Sequence, residues 1–341
     1  MKKITLLFCL MLIQVSFGQT NNWFYKKGTL YVGSFDNNFN NTVDFEFMTK
    51  RYYTLLLLLC FISCKEKKSK LIACGSDKVI IIDIEDSLVE AKIIWQWQPA
   101  DAISLPLVYQ ENYFKKIDEC KPSYDGKNIM ITSSTGGIAI INKQSKDVIF
   151  YAKIGNPHSI EQLPNDIIAV AASNNKDGNC IAFYNKHNVE NSPFLKDSLY
   201  GGHGLVWEKN NQLLYALGSN ELRAYKLINW LSESRRVQLQ EQWALPDTGG
   251  HDLVNFNQRD LLITTNNNIW RFNKTLENFE VFQPLEGVKD IKGISITEND
   301  KIAYVKAEEK WWSHHIYITN PNNKLSIPDV NLYKVRWWNF E

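Results

Sequence analysis

Beyond residue 70, apolar residues recur in short runs that alternate with polar ones, and turns rich in Asn, Asp, Gly and Lys separate these runs. The segments Leu71–Gly75 and Lys78–Asp83 are typical of the pattern. A helix would place apolar residues every three or four positions, and that periodicity is nearly absent. Short alternating runs between turn residues predict an all-β domain, which could be a sandwich, a barrel or a propeller.

An internal repeat favours one of these architectures. Five segments open on a basic residue, continue through a short strand, turn at Asn, Asp or Lys, and enter a second strand. They begin at Lys121, His158, His203, His251 and Lys292. Repeats of about 35 to 50 residues match the four-stranded blades of β-propellers. A β-sandwich with chance similarity between its strands is the alternative.

The two ends of the repeat region complement each other. Leu71–Gly75 and Lys78–Asp83 resemble the second and third strands of a blade that has no first strand. Lys334–Trp338 resembles a first strand with nothing after it. Pairing the two would leave neither edge open to aggregation. The sequence therefore predicts a six-bladed β-propeller domain over residues 71–341, with the C-terminal strand completing the first blade.

The N-terminal part holds two export signals in series. Met1–Gln19 has a basic start, an apolar run and small residues near a cleavage point, as in a signal peptide. Met48 begins a second signal that ends at Phe61–Cys64 and resembles a lipobox. We interpret residues 1–47 as a spurious or upstream extension, 48–63 as a lipoprotein signal peptide, and 64–70 as a tether.

This interpretation makes Cys64 the lipidation site and anchors the protein at the periplasmic face or the cell surface. In the alternative, residues 1–19 are the working signal and 48–63 form a transmembrane helix. The apolar run Tyr52–Ser63 is short for a span, which needs about 20 apolar residues. The sequence thus predicts a membrane-anchored, non-spanning protein.

Charge and cysteine content narrow the classes of partner. The 38 Lys and Arg residues nearly balance the 37 Asp and Glu residues, so no overall field attracts nucleic acid. Outside the signals and Cys64, the cysteines are Cys74, Cys120 and Cys180, an odd number without C-x-x-C spacing. They predict no disulfide framework. We expect a monomer whose partners are a small molecule or glycan and the lipid anchor.

The repeat also brings chemistry-bearing residues together. The innermost strands of a propeller run along its axis, so equivalent positions at their starts form a ring at one channel mouth. The predicted ring consists of Lys121, His158, His203, His251, Lys292 and Lys334. Three of the six histidines of the chain therefore share one structural position. Three nearby acids could orient the imidazoles, namely Glu119, Glu161 and Asp252.

Three chemistries fit such a ring. Three neutral imidazoles could hold a divalent metal with an open position, such as Mn, Zn or Ca. Three lysines beside protonatable histidines could hold a carboxylate, sulfate or phosphate. A histidine base beside a lysine could abstract a proton next to a uronate carboxyl, which is lyase chemistry. Alternatively, these residues simply fill the channel mouth with water-bridged hydrogen bonds.

The remaining histidines and tryptophans receive more ordinary assignments. His187 is expected on a surface loop, and His314-His315 at the start of a strand. At least one residue of Trp337-Trp338 is expected in the core. Trp311-Trp312, in a polar loop, is the better candidate for stacking on a sugar ring.

Short motifs across residues 70–338 resemble a known family. They are Trp95–Pro99, Glu119–Pro122, Asn156–Ser159, Gly202–Trp207, Ala216–Gly218, Glu221–Tyr225, Gly250–Leu253 and Leu332–Trp337. At these residues the chain resembles an uncharacterised group of exported Bacteroidota β-propellers, known only as a domain of unknown function. The resemblance implies a propeller and export, and it implies no reaction. The layout is also distantly similar to oligogalacturonate-lyase propellers, which gather histidines and manganese near the axis.

Three functions are consistent with these patterns. In the first, an exported lipoprotein propeller binds a small anionic or carbohydrate ligand at the axial His/Lys ring. In the second, the protein is a metal-assisted carbohydrate-active enzyme, a lyase or hydrolase, that uses His158, His203 and His251. In the third, it is a protein-interaction scaffold.

Overall fold

The computed structural model describes residues 22–26, 29–33, 69–84, 91–188 and 192–340. The predicted signal peptide over 48–63, Cys64 and most of the 64–70 tether lie outside the described residues. Two units are distinguished along the chain, 1–67 and 68–341. In the first unit, an antiparallel pair of strands joins β1 (Asn22–Lys26) to β2 (Thr29–Gly33).

The second unit is almost entirely β-structure. Its strands, in chain order, are β3 (Ser69–Gly75), β4 (Lys78–Ile84), β5 (Lys92–Trp97), β6 (Ile117–Pro122), β7 (Asn128–Ser133), β8 (Gly137–Asn142), β9 (Val148–Lys153), β10 (Pro157–Leu163), β11 (Ile167–Ala172), β12 (Cys180–Asn185), β13 (Leu195–Ser198), β14 (Gly204–Glu208), β15 (Leu213–Leu217), β16 (Glu221–Ile228), β17 (Arg236–Ala244), β18 (Asp252–Asn255), β19 (Asp260–Thr264), β20 (Ile269–Asn273), β21 (Asn278–Val281), β22 (Ile291–Ile296), β23 (Ile302–Lys306), β24 (His315–Ile318), β25 (Asn323–Ser326) and β26 (Leu332–Trp338). Among the described residues of this unit, one short helix, α1 (Leu107–Asn112), and the 3-10 turns Pro99–Asp101 and Gln283–Leu285 lie between strands.

These strands form six four-stranded antiparallel sheets, each of which is one blade of a six-bladed β-propeller. Blade 1 has the order β26-β3-β4-β5, and blades 2 to 6 follow as consecutive meanders from β6 to β25. The C-terminal strand β26 pairs with β3 from Leu332 to Trp338. Both the predicted fold and the predicted closure of the first blade are confirmed.

The core is divided among the six blade interfaces. Each apolar cluster combines residues of two neighbouring blades. The cluster between blades 6 and 1, for example, packs Val305 and Ile316 against Leu71 and Trp337. Inner strands are therefore apolar on both faces, whereas outer strands such as β17 are mostly exposed. Cys74, Cys120 and Cys180 are free and buried.

Four of the six innermost strands contain a β-bulge near their first residue. In β6, β10, β22 and β26 the pairing skips one residue, which leaves Asp118, His158, Lys292 and Tyr333 without a direct partner in the next strand. In β14 and β18 the pairing begins at Gly204 and Asp252 and contains no bulge. The bulges decide which side chains share a level along the axis.

In the described part of the chain, no helix has the length and apolar character to cross a membrane.

We predict that a chain ending before Leu332 has no cooperative unfolding transition. Loss of β26 removes buried Val335 and Trp337, each of which stabilises the fold by about 1.5–3 kcal/mol. It also removes the cations that are paired with carboxylates on the propeller axis. The two losses together are comparable to the free energy of unfolding of a whole domain, about 5–15 kcal/mol. Thermal melting monitored by circular dichroism measures this effect.

A chain ending at Trp338 keeps β26 and serves as the control, for which we expect a single transition. A peptide covering residues 330–341, added in trans, should restore the transition of the shorter chain. Equal melting of the two truncated chains would contradict the closing role of β26.

Candidate functional site

One ring of side chains lies at the mouth of the channel where the innermost strands begin. The strand pairings place six residues at equivalent positions, namely Asp118, His158, His203, His251, Lys292 and Tyr333. We call this set the mouth ring. It contains four of the six residues that the sequence repeat predicted to share one level. Lys121 follows Asp118 by three residues and Lys334 follows Tyr333 by one, so both lie deeper along the axis than the mouth ring.

The three histidines of the mouth ring contact one another in series. The imidazole of His158 stacks on that of His203 with ring centroids 4.3 Å apart, and His203 meets His251 edge to face at 5.7 Å. The ring of Tyr333 lies 5.9 Å from His158. The three histidines that the repeat grouped are therefore adjacent in space.

The imidazoles are uncharged at neutral pH. Burial lowers the pKa of His203 to about 4. Burial and the charge of Lys292 together lower the pKa of His251 to about 3. Burial also places the pKa of His158 well below its ordinary value. Neutral imidazoles offer one N–H donor and one nitrogen acceptor each, which suits hydrogen bonding to an uncharged polar group.

Hydrogen bonds fix some of these nitrogens and leave others open. The Nδ1 atom of His203 lies 2.8 Å from the Gly201 carbonyl oxygen, to which it donates. The Nε2 atom of His251 lies 2.8 Å from the Lys292 ammonium and 2.9 Å from the Oδ1 atom of Asn266, so both contacts engage this nitrogen. The Nδ1 atoms of His158 and His251 are buried and have no hydrogen-bond partner within the described structure. These nitrogens have almost no exposed surface, so they become candidate ligand contacts when the imidazole turns about its Cβ–Cγ bond.

A network of buried ions lies directly beneath the mouth ring. Lys334 is fully buried, and its Nζ lies 3.3 Å from a carboxylate oxygen of Glu119 and 3.1 Å from one of Asp252. The guanidinium of Arg336 donates two hydrogen bonds of 2.7 Å to Asp252 and also lies 2.9 Å from Glu119. We call these four residues the axial ion network.

The axial ion network positions the histidines above it. The Lys334 ammonium also donates to the backbone carbonyls of His158 and His203, at 3.3 and 3.4 Å. A glycine at the same level provides the space, since a Cβ at Gly293 would lie 2.7 Å from the Cα of Lys334. Glu119 and Asp252, predicted to orient imidazoles, instead bind the cations one level below them.

Lys121 and Glu161 form a neighbouring buried pair. The Nζ atom of Lys121 donates to the Leu205 carbonyl at 2.6 Å and lies 3.4 Å from Glu161. The hydroxyl of Ser159 links this pair to Glu119 at 3.3 Å. Lys121 and Lys334, which were expected to attract an anion, are thus paired with buried carboxylates, whereas Lys292 at the mouth lies 3.7 Å from the exposed carboxylate of Asp290.

The charges of the axial ion network stabilise one another. Burial would raise the pKa values of Glu119 and Asp252, but the charges of Arg336 and Lys334 outweigh it and hold both below their ordinary values. Burial would likewise lower the pKa of Lys334, and Asp252 and Glu119 raise it above its ordinary value. All four groups therefore stay ionised at neutral pH.

The sequence patterns did not identify Arg336, Asp118 and Tyr333 as residues of the site. Strand periodicity was the available signal for Arg336, because side chains two positions apart share a face and Lys334 was already assigned to the axis. The same spacing links Glu119 with Lys121. No comparable signal identifies Asp118 or Tyr333, since their direction depends on bulges that alternation does not reveal.

The alternative of a metal bound by the three histidines has a geometric requirement. Imidazole lone pairs lie in the ring plane, and they must converge on one point to hold a metal ion. The rings of His158 and His203 instead stack with an interplanar angle of 23°. Among the residues that the structure describes, no group of three or more His, Cys, Asp or Glu side chains is arranged to hold a metal ion.

A cleft of about 160 Å³ opens beside the mouth ring. It lies between the start of β6 and the loop before β24. Its lining consists of Ser76, Lys115, Lys116, Ile117, Asp118, Trp311, Trp312, Asn331 and Tyr333. Asp118 and Tyr333 belong to both the cleft and the mouth ring, so the two features adjoin each other. We call this feature the tryptophan cleft.

Asp118 is the carboxyl at the base of the tryptophan cleft. Only 5% of the residue is exposed, and its Oδ2 accepts a 2.5 Å hydrogen bond from the Ser134 backbone N–H. Burial raises the pKa of Asp118 to about 7, although hydrogen bonds from Ser134 and the charges of Lys334 and Lys116 oppose the shift. Asp118 therefore changes charge near neutral pH.

The other aromatic candidates lie as follows. Trp311 is half exposed, and the Lys116 ammonium lies 5.3 Å from the centre of its ring. Trp337 and Trp338 are buried in β26. His187 is an exposed loop residue whose Nε2 lies 3.1 Å from Asp166. His315 is the first residue of β24.

We predict that Lys334→Met lowers the free energy of unfolding by about 3–5 kcal/mol, because it leaves buried carboxylates with too few cations. Urea denaturation measures the loss. Lys186→Met is the matched control, since it removes an ammonium that lies 3.6 Å from Asp166 at the surface. Its expected effect is below about 1 kcal/mol. Similar losses for the two variants would show that the Lys334 ion pairs contribute no more to the free energy of unfolding than a surface ion pair does.

We predict that Asp118→Asn stabilises the protein more at high pH than at low pH. Folding raises the pKa of Asp118 from 3.8 to about 7, so its contribution to stability is complete below pH 3.8 and is lost as pH rises through 7. The amide does not titrate. The gain in unfolding free energy over the wild type should grow by about 3 kcal/mol between roughly pH 5 and pH 8.

Urea denaturation across this pH range measures the gain. Asp125→Asn is the control, because Asp125 is an exposed acid whose pKa a hydrogen bond from Ser123 lowers. It should give no gain at high pH. A gain for Asp118→Asn that does not change with pH would contradict the burial effect.

Comparisons with known proteins give the fold and a family. The sequence profile of a protein family described as a family of unknown function, DUF6528, matches residues 62–340. No curated protein matches the chain. The predicted resemblance to a domain of unknown function is confirmed, whereas restriction to Bacteroidota and export stay predictions.

Two solved structures are similar in fold. A chain of the nidogen/laminin complex is 12% identical with a TM-score of 0.55, and the match covers 79% of this chain and 98% of that one. A protein of unknown function from Bacteroides caccae is also 12% identical with a TM-score of 0.55, and the match covers 80% of this chain and all of that one. At this identity the likeness concerns the fold alone.

Proposed function

We propose that this chain, which belongs to the DUF6528 family of unknown function, is a binding module that holds a small carbohydrate at the mouth ring. One observation carries the proposal. His158 and His251 each keep a buried Nδ1 atom with no hydrogen-bond partner in the described structure. Leaving such atoms unpaired costs about 1–3 kcal/mol each, and a ligand that bonds to them once the imidazole has turned toward the mouth regains that energy.

The chemistry of the mouth ring supports a hydroxylated ligand. Three uncharged imidazoles provide donors and acceptors in one small area, which matches the hydroxyl groups of a sugar. Lys292 adds one cation at the same level, 2.8 Å from His251. The deeper lysines are paired with carboxylates. The site therefore carries little net positive charge and would attract an anion only weakly.

The N-terminal segment supports an extracytoplasmic setting for this activity. A lipid on Cys64 and a tether over 64–70 would hold the propeller close to a membrane, at the periplasmic face or the cell surface. Glycans are available to a protein in either place.

Titration calorimetry tests the proposal with methyl glucoside, methyl galactoside and their uronic acid counterparts. We expect the wild type to bind at least one of them, and His158→Phe to bind it at least about tenfold more weakly, because one hydrogen bond of about 1.4 kcal/mol is lost. Phenylalanine retains a planar ring for stacking on His203 and removes both nitrogens.

His187→Phe is the control, since His187 lies on an exposed loop away from the mouth ring. It should bind the sugar as the wild type does. Equal binding by His158→Phe and the wild type would refute the assigned role of the mouth ring. So would the absence of binding to every sugar in the set.

A further inference from the structure

The tryptophan cleft extends the mouth ring in one direction. Tyr333 links the two, because it lines the cleft and its ring lies 5.9 Å from that of His158. The cleft and the mouth ring therefore adjoin each other at the Tyr333 side chain. The residues of the cleft identify which part of a ligand would enter it.

The rim of the cleft is cationic and aromatic. Lys115 and Lys116 are exposed at the start of β6, and Trp311 and Trp312 face them from the loop before β24. The Lys116 ammonium already lies over the ring of Trp311 at 5.3 Å from its centre. Two lysines beside two indole rings suit a sugar ring that carries a negative charge.

The base of the cleft is a carboxyl. Asp118 occupies the same register position as His158, and Ser134 is its hydrogen-bond donor. An ionised Asp118 would repel an anion, whereas a protonated Asp118 could donate a hydrogen bond to it.

We propose that the tryptophan cleft binds the carboxylate of an acidic sugar, with Lys116 as its counter-ion and protonated Asp118 as its hydrogen-bond donor. This inference rests on the proposed function and names the ligand class of that same site. Asp118 takes its proton from the solvent as the ligand binds, and no covalent bond of the sugar changes. A neutral sugar would occupy the same site without this proton.

Asp118 is the group in this part of the site whose charge changes near neutral pH. The titratable groups around it are Lys115, Lys116, Glu119, Cys74, Tyr333 and Lys334. Burial raises the pKa values of Cys74 and Tyr333 well above their ordinary values, so both stay neutral. Glu119 and Lys334 stay ionised as partners at 3.3 Å. His158 also stays neutral, because burial lowers its pKa.

Binding and protonation are then reciprocally linked. An anion that binds better to the protonated form must raise the proton affinity of Asp118 by the same factor. Affinity for the acidic sugar should fall by up to about tenfold for each pH unit above 7, the pKa of Asp118. Affinity for the neutral sugar should stay constant over the same range.

Titration calorimetry at about pH 8 in two buffers of different ionisation enthalpy counts the protons taken up. With methyl glucuronide we expect the wild type to take up close to one proton for each molecule bound, and with methyl glucoside none. Asp118→Asn should take up none with either sugar. Asp125→Asn, which alters an exposed acid, should behave as the wild type.

A second variant tests the counter-ion. Lys116→Met should weaken binding of methyl glucuronide by about tenfold, as expected for loss of a charge-assisted hydrogen bond, and should weaken binding of methyl glucoside much less. Glucuronide binding without proton uptake, or uptake that persists in Asp118→Asn, would overturn the inference and leave the proposed function standing. If neither sugar binds, the inference falls together with the proposed function.

Discussion

The axial ion network is the interaction on which the rest of this propeller depends. Lys334 and Arg336 enter from the strand that closes the ring, and they bind carboxylates that blades 2 and 5 provide, Glu119 and Asp252. Ions in a dry interior are tolerated only when each has its partner, so these contacts specify how the blades must meet. The same Lys334 ammonium holds the carbonyls of two histidines. The same contacts therefore close the propeller and position the histidines of the mouth ring.

In the axial ion network, cations and carboxylates balance each other, whereas the mouth ring contains few charged groups. This division explains why the imidazoles of the ring are neutral: burial disfavours their charged forms, and the nearest carboxylates already bind Lys334 and Arg336. The neutral ring and the cationic rim of the tryptophan cleft are thus two different environments on one surface. Asp118 lies at their boundary, where burial raises its pKa to about 7 against the opposing effects of the Ser134 hydrogen bonds and the nearby lysines.

The sequence was sufficient for the architecture and for part of the site. Repeated strands and the unpaired pattern at Lys334–Trp338 predicted six blades and their closure, because strand alternation and the need to pair edges are local and general. The three histidines were grouped for the same reason. The depth of Lys121 and Lys334 was not predicted, because the repeat was aligned on its basic residues, whereas Asp118 and Tyr333 occupy the equivalent positions three residues and one residue earlier. The tryptophan cleft depends on a loop of blade 6 that lies beside blade 2, and no repeat encodes that contact.

The position of β26 has a consequence for biosynthesis. The ribosome makes the chain from its N-terminus, so blades 2 to 6 are complete before Tyr333, Lys334 and Arg336 have been made. Until then Asp252 lacks both of its cations, and Glu119 keeps only the Lys121 ammonium, at 4.0 Å. A nascent chain also lacks the ammonium that holds the carbonyls of His158 and His203. The mouth ring can therefore take its final arrangement only after the last strand has been made.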